Sequence, residues 1–501
     1  MALPSFAVIA DAHILDAPSI QCQHLELALA QAAAKGAEFA VLAGDLVRGG
    51  RRPAFEALDS VLERSPVEWF TICGNRDLYG ESTQPYRSRF GHPQQVVFRG
   101  GYRLVLLDGH APGLGPAQTR WLNAALRDTS PHPHTIIFGH HYLSLFPERE
   151  RDVFLSLCRR HGVRHYVSAH RHLNRRVQHP ALTEYVVGAI DPDKSVAGPP
   201  CFLLAHLSGH ELHTAIEHVT IAPEAVRRSL LEQLGAAPAR WGCASQIRDL
   251  CSRTPLKWYQ LRVFEGAEDI SLRAQAEVAR ECGMRIVGHL PTPAIAPDGT
   301  LGNSETMATA IGFCIAHATE VVVLHPPKLD AALLADHHGR LRTGSAAVEG
   351  MVDHFTAMVT RLEAAGITVA VENNSSKTPT TRFGSLPAHI VALNNLLAVR
   401  GLHPGFCFDI GHAKASVANA QIAEWMGALG HSLAALHLHT GNPHTRITHS
   451  PIEELYGRTQ WYGLVAWLAL LQVEAPCLLE VRTPEDALRS ARVLRRLVEE
   501  R

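Results

Sequence analysis

Residues 6–13 read FAVIADAH, a short apolar run that ends in an aspartate and a histidine. The pattern returns at residues 39–45, FAVLAGD, where the apolar run ends in Gly44-Asp45. Such runs are typical of buried strands in an α/β sheet, whose functional side chains follow the carboxyl ends of the strands. The Ala- and Leu-rich segment between them ends near Lys35-Gly36, which predicts a helix joining two strands.

Three further apolar runs continue this organisation. We expect strands over residues 69–73, 102–107 and 135–138, which are followed by Gly74-Asn75, Asp108 and Gly139-His140-His141. The repeated alternation of strand and helix favours the α/β class. Residues 1–219 are therefore predicted to form one α/β domain.

The second half of the chain has its own alternating pattern. Seven strands are expected in it, over residues 258–264, 284–289, 320–325, 367–372, 406–409, 433–437 and 477–480. Helical stretches such as 350–365 and 387–399 separate them, and the length of residues 254–501 suits a (β/α)8 barrel. No eighth strand is evident. Residues 220–253 are interpreted as a helical connector, with Pro223 at a helix start and Gly235 at its end.

The overall composition excludes several classes of protein. Among 501 residues, 47 Lys and Arg nearly balance 48 Asp and Glu, which argues against a general nucleic-acid binder. The longest apolar stretch, near residues 464–471, is too short to span a membrane. Ten cysteines without a Cys-x-x-Cys pair, and a start without a charged leader, predict a cytoplasmic protein. The 31 histidines are the unusual feature.

Five short motifs place carboxylate, imidazole and amide groups after strands of the first domain. They are Asp11-x-His13, Gly44-Asp45, Gly74-Asn75-Arg76-Asp77, Gly139-His140-His141 and His170-x-His172. These groups suit borderline divalent cations such as Mn, Fe or Zn. A pair of cations about 3.5–4 Å apart can hold both the attacking and the leaving oxygen in a phosphoryl displacement. Asp45 could bridge the two.

This ordered set, over residues 6–215, resembles the calcineurin-like metallophosphoesterase superfamily. The resemblance implies an αββα-type sandwich with two divalent cations. It implies that one cation is held by Asp11, His13, Asp45 and His172, and the other by Asp45, Asn75, His141 and His170. His140 is the alternative to His141, which is preferred because it directly precedes Tyr142.

Arg76 departs from the pattern of that superfamily, in which a histidine usually follows the motif asparagine. A guanidinium group does not donate a proton near neutral pH, but it binds phosphate through two hydrogen bonds. We therefore expect Arg76 to contact the phosphate of a monoester, or of an ester with a good leaving group. The sequence leaves monoester and diester specificity open.

Four residues at strand ends stand out in the second half: Glu372, Asp409, His437 and Glu480. This set can hold one octahedral divalent cation such as Mn²⁺. A carboxylate pair can also move a proton on and off a carbon beside a carbonyl group, provided that the two act on opposite faces of the substrate. Four histidines at neighbouring strand ends are possible further ligands or substrate contacts: His289, His325, His412 and His449. We interpret His431, His439 and His444 as structural.

Residues 255–495 resemble the xylose isomerase-like TIM barrel superfamily, which includes sugar isomerases and epimerases and the endonuclease IV-type enzymes. The isomerase branch implies one Mn or Zn, Glu372 and Glu480 as the proton-transferring pair, and His412 as a substrate contact. The endonuclease IV branch implies three zinc ions on a fuller histidine set. This chain has Ile447 where that set requires a carboxylate, and Thr440 where an acidic residue is common.

Together these features predict a bifunctional metal-dependent enzyme, in which a phosphoesterase is fused to a sugar or polyol isomerase or epimerase. We expect a small phosphorylated metabolite as substrate, no membrane partner, no nucleic acid, and a chain that can form a homodimer. Two cations are expected in the first domain and at least one in the barrel. The alternatives are a DNA-repair-type nuclease, or one catalytic domain with the other acting as a regulatory module.

Overall fold

The computed structural model describes residues 3–15, 19–127, 134–194, 199–219, 223–239, 241–263, 269–335, 341–376, 382–415, 422–440, 448–452 and 454–499. The chain separates into two compact units. The first unit comprises Met1–Thr220 and Arg458–Gly463, and the second comprises Ile221–Gly457 and Leu464–Arg501. The two units are described separately below.

The first unit contains two β-sheets. Its strands are β1 (Ser5–Ile9), β2 (Ala37–Leu42), β3 (Glu68–Thr71), β4 (Gln95–Arg99), β5 (Tyr102–Leu106), β6 (His134–Phe138), β7 (His165–Ser168), β8 (Arg175–Gln178), β9 (Thr183–Val186), β10 (Cys201–Ser208) and β11 (Glu211–His218). One sheet has the order β11-β10-β1-β2-β3 and the other the order β4-β5-β6-β7-β9-β8.

Helices cover the outer faces of these sheets. They are α1 (Ile20–Ala34), α2 (Arg52–Leu62), α3 (Gln84–Phe90), α4 (Gly115–Arg127) and α5 (Glu148–Arg160), and a short 3-10 turn spans Leu143–Leu145. Alternate side chains of a strand point to opposite faces. In β1, Ala7 and Ile9 therefore pack with α1 and α2, whereas Phe6 and Val8 pack between the two sheets. This αββα arrangement confirms the predicted sandwich.

The parallel strands bring the motif residues of each sheet to one edge. β1, β2 and β3 run parallel in one sheet, and β5, β6 and β7 run parallel in the other. The loops beyond these strands are tied together by backbone hydrogen bonds. The N–H of Asp11 donates to the carbonyl of Gly44 at 3.1 Å, and the N–H of Ala169 donates to the carbonyl of His140 at 2.9 Å.

The second unit contains a closed barrel of eight parallel strands. They are β12 (Leu234–Ala236), β13 (Trp258–Arg262), β14 (Arg285–His289), β15 (Val321–Leu324), β16 (Thr368–Glu372), β17 (Gly405–Asp409), β18 (Leu433–Leu438) and β19 (Cys477–Leu479). The strands follow one another in chain order, and β19 pairs with β12 to close the barrel. The predicted (β/α)8 architecture is confirmed.

The helices of this unit lie between successive strands, except that α6 precedes β12 and α16 follows β19. They are α6 (Pro223–Ser229), α7 (Ala244–Arg253), α8 (Asp269–Glu281), α9 (Ser304–Ala316), α10 (Ala331–Leu334), α11 (Ala346–Glu363), α12 (Pro387–Val399), α13 (Ile410–Ala415), α14 (Ile422–Leu429), α15 (Glu454–Leu471) and α16 (Pro484–Glu499). Within the described residues, every helix is too short or too polar to cross a bilayer.

The eighth strand corrects the interpretation of residues 220–253 as only a helical connector. Pro223 does begin a helix, but Gly235 lies inside β12 rather than beyond a helix end. A Cβ atom on Gly235 would lie 2.6 Å from the Cβ and the carbonyl oxygen of Trp258. The strand has only three residues and a glycine at its centre, so it lacks the β-branched run by which a strand is recognised in sequence.

Gly235→Val tests whether this close approach limits barrel closure. Overpacking at a buried position typically costs about 1–3 kcal/mol, so we expect a lower midpoint of chemical unfolding for the barrel. Gly427→Ala is the matched control, because an added Cβ there meets nothing within 4 Å on α14 and alanine favours helix. Equal effects of the two changes on the midpoint would show that β12 is not tightly packed.

Candidate metal centres

The motif residues of the first unit converge in two groups of potential ligands. Asp11, His13 and His172 form one group, and His140, His141 and His170 form the other. Within each group the ligand atoms lie within 4.8 Å of one another. The carboxylate of Asp45 belongs beside the second group, since its Oδ1 lies 3.3 Å from Nε2 of His140.

Several of these ligand atoms are buried and lack a hydrogen-bond partner among the described residues. They are Oδ1 of Asp11, Oδ1 of Asn75 and Nδ1 of His141. A buried polar atom without a partner costs free energy, so such atoms normally mark a bound water or ion. Carboxylate, amide and imidazole donors also match the preferences of Mn, Fe and Zn. The donor set therefore fits a pair of divalent cations.

Backbone strain is concentrated on the same residues. The φ angles of Asp11, His13, Asp45, His170 and His172 are 56°, 47°, 50°, 70° and 56°. Left-handed backbone is uncommon outside glycine, and it persists only where surrounding structure holds it. Five predicted ligands in this conformation indicate that the loops are shaped to aim these side chains inward.

Three residues of the Gly74–Asp77 motif hold the loops in place. Oδ1 of Asp77 accepts a hydrogen bond from the N–H of Val47, and Oδ2 accepts one from the N–H of Gly74, both at 2.8 Å. A Cβ on Gly74 would lie 2.2 Å from the backbone nitrogen of Asp45, which explains the glycine. The backbone N–H of Arg76 donates to Oδ1 of Asp45 at 2.7 Å, while the Arg76 residue is exposed.

The structure brings both His140 and His141 into the group. Nδ1 of His140 donates to the carbonyl of Ala43 at 3.0 Å, which leaves Nε2 facing Asp45. The His141 ring lies 4.5 Å from the His170 ring between centroids. Either histidine therefore supplies a nitrogen at this position, and the preference for His141 stays a prediction.

Burial and mutual charge set the protonation of this cluster. Burial, partly offset by His140, raises the pKa of Asp11 to about 7, and burial lowers the pKa of His141 to about 3. Burial also opposes protonation of His140, but the carboxylates of Asp45 and Asp11 outweigh it and raise its pKa to about 9. The chain thus keeps negative charge at Asp45 by placing positive charge beside it.

In the barrel, the four predicted ligands meet at the carboxyl ends of four consecutive strands. Ligand atoms of Glu372, Asp409, His437 and Glu480 lie within 4.8 Å of one another, and all four residues are buried. Nδ1 of His437 lies 3.0 Å from Glu372, 3.2 Å from Glu480 and 3.6 Å from Asp409. Oε2 of Glu480 has no hydrogen-bond partner among the described residues, so this set also fits a cation.

Gln260 on β13 completes this arrangement and was not identified in the sequence. Its Oε1 lies 2.9 Å from Nε2 of His437 and accepts a hydrogen bond from it. This hydrogen bond fixes the ring so that Nδ1 faces the three carboxylates, and Nδ1 is the atom that would bind a cation. A single glutamine inside an apolar strand gives no sequence signal of this role.

The other predicted histidines surround the four ligands. Nε2 of His289 and Nε2 of His325 each lie 3.2 Å from Oε2 of Glu372. Nδ1 of His412 lies 3.3 Å from both Glu372 and Asp409. His449 is more distant, with Nε2 3.5 Å from Oε1 of Glu480, and its φ angle is 59°.

His439, which the sequence analysis interprets as structural, lies next to the four predicted ligands. Its Nε2 lies 3.0 Å from Asp409, its ring stacks 4.6 Å from that of His449, and it forms a possible ligand group with His412 and His449. Side chains two apart along a strand share a face, so the His437-Leu-His439 pattern could have placed both in the barrel mouth. His444 and Ile447 lie outside the described residues.

The carboxylates of this cluster are held in their charged form. Burial alone would raise the pKa of Glu372, but His325 and His437 hold it well below its usual range. Burial lowers the pKa of His325 to about 3, whereas Asp409 and Glu372 overcome burial and raise that of His412 to about 9. The barrel mouth is therefore a buried site with strong internal charge pairing.

Removal of divalent cations should destabilise the protein. A cation at 100 times its Kd stabilises a folded protein by about 2.7 kcal/mol, which corresponds to roughly 5–10 °C for a domain of this size. We expect a chelator to lower the unfolding temperature accordingly. In Asp45→Ala the chelator should cause a smaller fall, because the cations of the first unit no longer contribute. The exposed Glu63→Ala is the control, and a chelator effect of the same size in both variants would contradict the assignment.

Several solved structures resemble parts of this chain. No curated protein matches it. Among solved structures, a dimetal phosphatase from Danio rerio shares 16% identity, with a TM-score of 0.37 over 44% of this chain and 98% of that chain. A D-tagatose 3-epimerase-like protein shares 18%, with a TM-score of 0.38 over 54% and 97%. A D-allulose 3-epimerase from Methylomonas sp. shares 12%, with a TM-score of 0.39 over 54% and 98%.

The sequence itself matches a family profile at its N-terminal end. The match covers residues 4–174 and is to the calcineurin-like phosphoesterases. This range contains all five motifs whose side chains converge in the first unit. The chain therefore carries an N-terminal domain of the calcineurin-like phosphoesterase family, followed by an eight-stranded parallel barrel.

Proposed function

We propose that the chain is a bifunctional metal-dependent enzyme acting on a small phosphorylated metabolite. The N-terminal domain hydrolyses a phosphate ester, and the barrel isomerises or epimerises a sugar or polyol. The observation that carries this proposal is the presence of two separate clusters of buried ligand atoms, one at the strand ends of each unit. Each cluster has unpaired buried atoms that a cation would satisfy.

In the N-terminal domain, Asp45 would be shared by two cations of Mn, Fe or Zn. Asp11, His13 and His172 would hold one, and Asn75, His170 and His140 or His141 the other. Bound cations of this kind supply Lewis acidity and lower the pKa of a coordinated water. The chain orients Asp45 through the backbone N–H of Arg76, and the exposed guanidinium group of Arg76 would bind the phosphate oxygens.

In the barrel, Glu372, Asp409, His437 and Glu480 would hold one Mn or Zn, which polarises a carbonyl group when bound. Glu372 and Glu480 flank Nδ1 of His437 at 3.0 and 3.2 Å. One glutamate would take a proton from the carbon beside the carbonyl, and the other would return it. His412, beside Glu372 and Asp409, would contact the substrate.

The two activities should be separable by single substitutions. Asp45→Ala should abolish hydrolysis of p-nitrophenyl phosphate and leave ketose epimerisation unchanged. Glu372→Gln keeps the shape of the side chain and should lower epimerisation by about 10²–10⁴-fold, the usual contribution of a general acid or base. Both variants and Glu63→Ala would be assayed with Mn²⁺ on a panel of sugar phosphates.

Loss of both activities from either change would argue against two independent sites. An active N-terminal domain with no barrel activity on any sugar or sugar phosphate would instead favour the interpretation of the barrel as a regulatory module.

The nuclease alternative has one specific observation in its favour. His412, His439 and His449 offer three nitrogen atoms beside Asp409 and could hold a further cation next to the first. Net charge of -1 argues against strong binding of nucleic acid.

Metal analysis and DNA cleavage distinguish the two functions. We expect one cation bound by the barrel, no cleavage of plasmid DNA or of a duplex with an abasic site, and epimerase activity retained in His439→Ala. Additional barrel cations that are lost in His439→Ala together with DNA cleavage would support the nuclease instead.

A further inference from the structure

The phosphoesterase domain contains a cavity that the metal centre does not use. Its volume is about 710 Å³, within the range typical of small-molecule sites. It is bounded by the end of α5, the start of β7, the β8–β9 hairpin and the turn between β10 and β11. None of the residues that line it belongs to the predicted metal ligands.

The cavity lies at the opposite end of β7 from the metal ligands. His165 lines the cavity and is the first residue of β7, whereas His170 follows the other end of the strand. The four residues of β7 alone span roughly 10 Å at about 3.3 Å per residue. A molecule in the cavity would therefore be held away from Asp45 and the rest of the dinuclear site.

Positive charge dominates the lining. Arg159, Arg164 and Arg176 line the cavity and are exposed, and among the described residues none of them is paired with a carboxylate. Some other arginines of this domain do pair with acidic side chains, as Arg89 does with Asp59 at 3.0 Å. Glu211 is the one carboxylate among the lining residues. The planar guanidinium fork matches phosphate oxygens through paired hydrogen bonds.

Contacts within the lining position Arg176 and His165. The guanidinium group of Arg176 lies over the ring of Tyr185, 5.6 Å from its centroid. His165 is oriented by donation from Nε2 to the carbonyl of His210 at 2.9 Å.

We propose that this cavity is a second binding site, which takes a small molecule bearing a phosphate group and holds it without hydrolysing it. Three unpaired guanidinium groups supply the recognition, and the volume accommodates a phosphorylated metabolite. The site needs no metal ion, so it operates independently of the catalytic centre. The domain would therefore have one position for a phosphate ester that is cleaved and another for one that is only bound.

The test is calorimetric titration of the full-length chain with AMP and with inorganic phosphate. Asp45→Ala serves as the background, so that hydrolysis and binding at the dinuclear centre do not contribute. Adenosine is the matched ligand without phosphate. We expect one phosphate-dependent site per chain, and Arg164→Ala with Arg176→Ala to raise its Kd at least tenfold, since each substitution removes charged hydrogen-bond donors.

The control pair is Arg160→Ala with Arg175→Ala, which removes the same charge. These arginines neighbour Arg159 and Arg176 in sequence, but neither of them lines the cavity. Arg175 points to the opposite face of β8 from Arg176. We expect the Kd for AMP of this control variant to stay within about twofold of that of Asp45→Ala alone, since distant surface charges contribute little. Both pairs should retain phosphatase activity when Asp45 is present.

Three results would overturn the proposal. They are no binding of AMP or phosphate at millimolar concentration, equal weakening by the control pair, and binding of adenosine as tight as that of AMP. Binding of a 20-base-pair DNA through Arg164 and Arg176 that phosphate does not compete would show that the occupant is a nucleic acid instead.

Discussion

The burial of several carboxylates and imidazoles at the ends of parallel strands is the constraint on which both candidate sites depend. A buried charge is costly unless it is paired and hydrogen-bonded, and here the pairing is only partial. Asp45 meets His140 at 3.3 Å, and Glu372 meets His437 at 3.0 Å, yet Oδ1 of Asp11 and Oε2 of Glu480 find no hydrogen bond among the described residues. A divalent cation would satisfy these atoms.

Both units place buried carboxylates and imidazoles at the ends of parallel strands, although their folds differ. In the sandwich, parallel strands of two facing sheets contribute loops that meet at one edge. In the barrel, consecutive strands contribute one residue each to a single mouth. The sandwich also stores backbone strain, because five of its predicted ligands have left-handed backbone. The four predicted ligands of the barrel instead lie at the ends of strands and have no left-handed backbone. The loops of the sandwich are therefore the more specialised of the two.

Much of this could be predicted from sequence, because apolar strands that end in Asp, Glu or His are local signals. Strand β12 was not predicted, because it has only three residues and a central glycine. Any larger residue at that position would clash with Trp258. β8 reads RRVQ and has no apolar alternation. The role of Gln260 depends on His437, which is distant in the chain, and no local pattern reveals that contact. The choice between His140 and His141 depends on ring orientation, which adjacent residues do not determine.

Anomalous diffraction from crystals of the full chain grown with Mn²⁺ tests the central claim most directly. The account predicts two peaks a few ångströms apart beside Asp45 and at least one further peak among Glu372, Asp409, His437 and Glu480. The absence of density at both positions, or Mn²⁺ bound only at surface carboxylates, would contradict it.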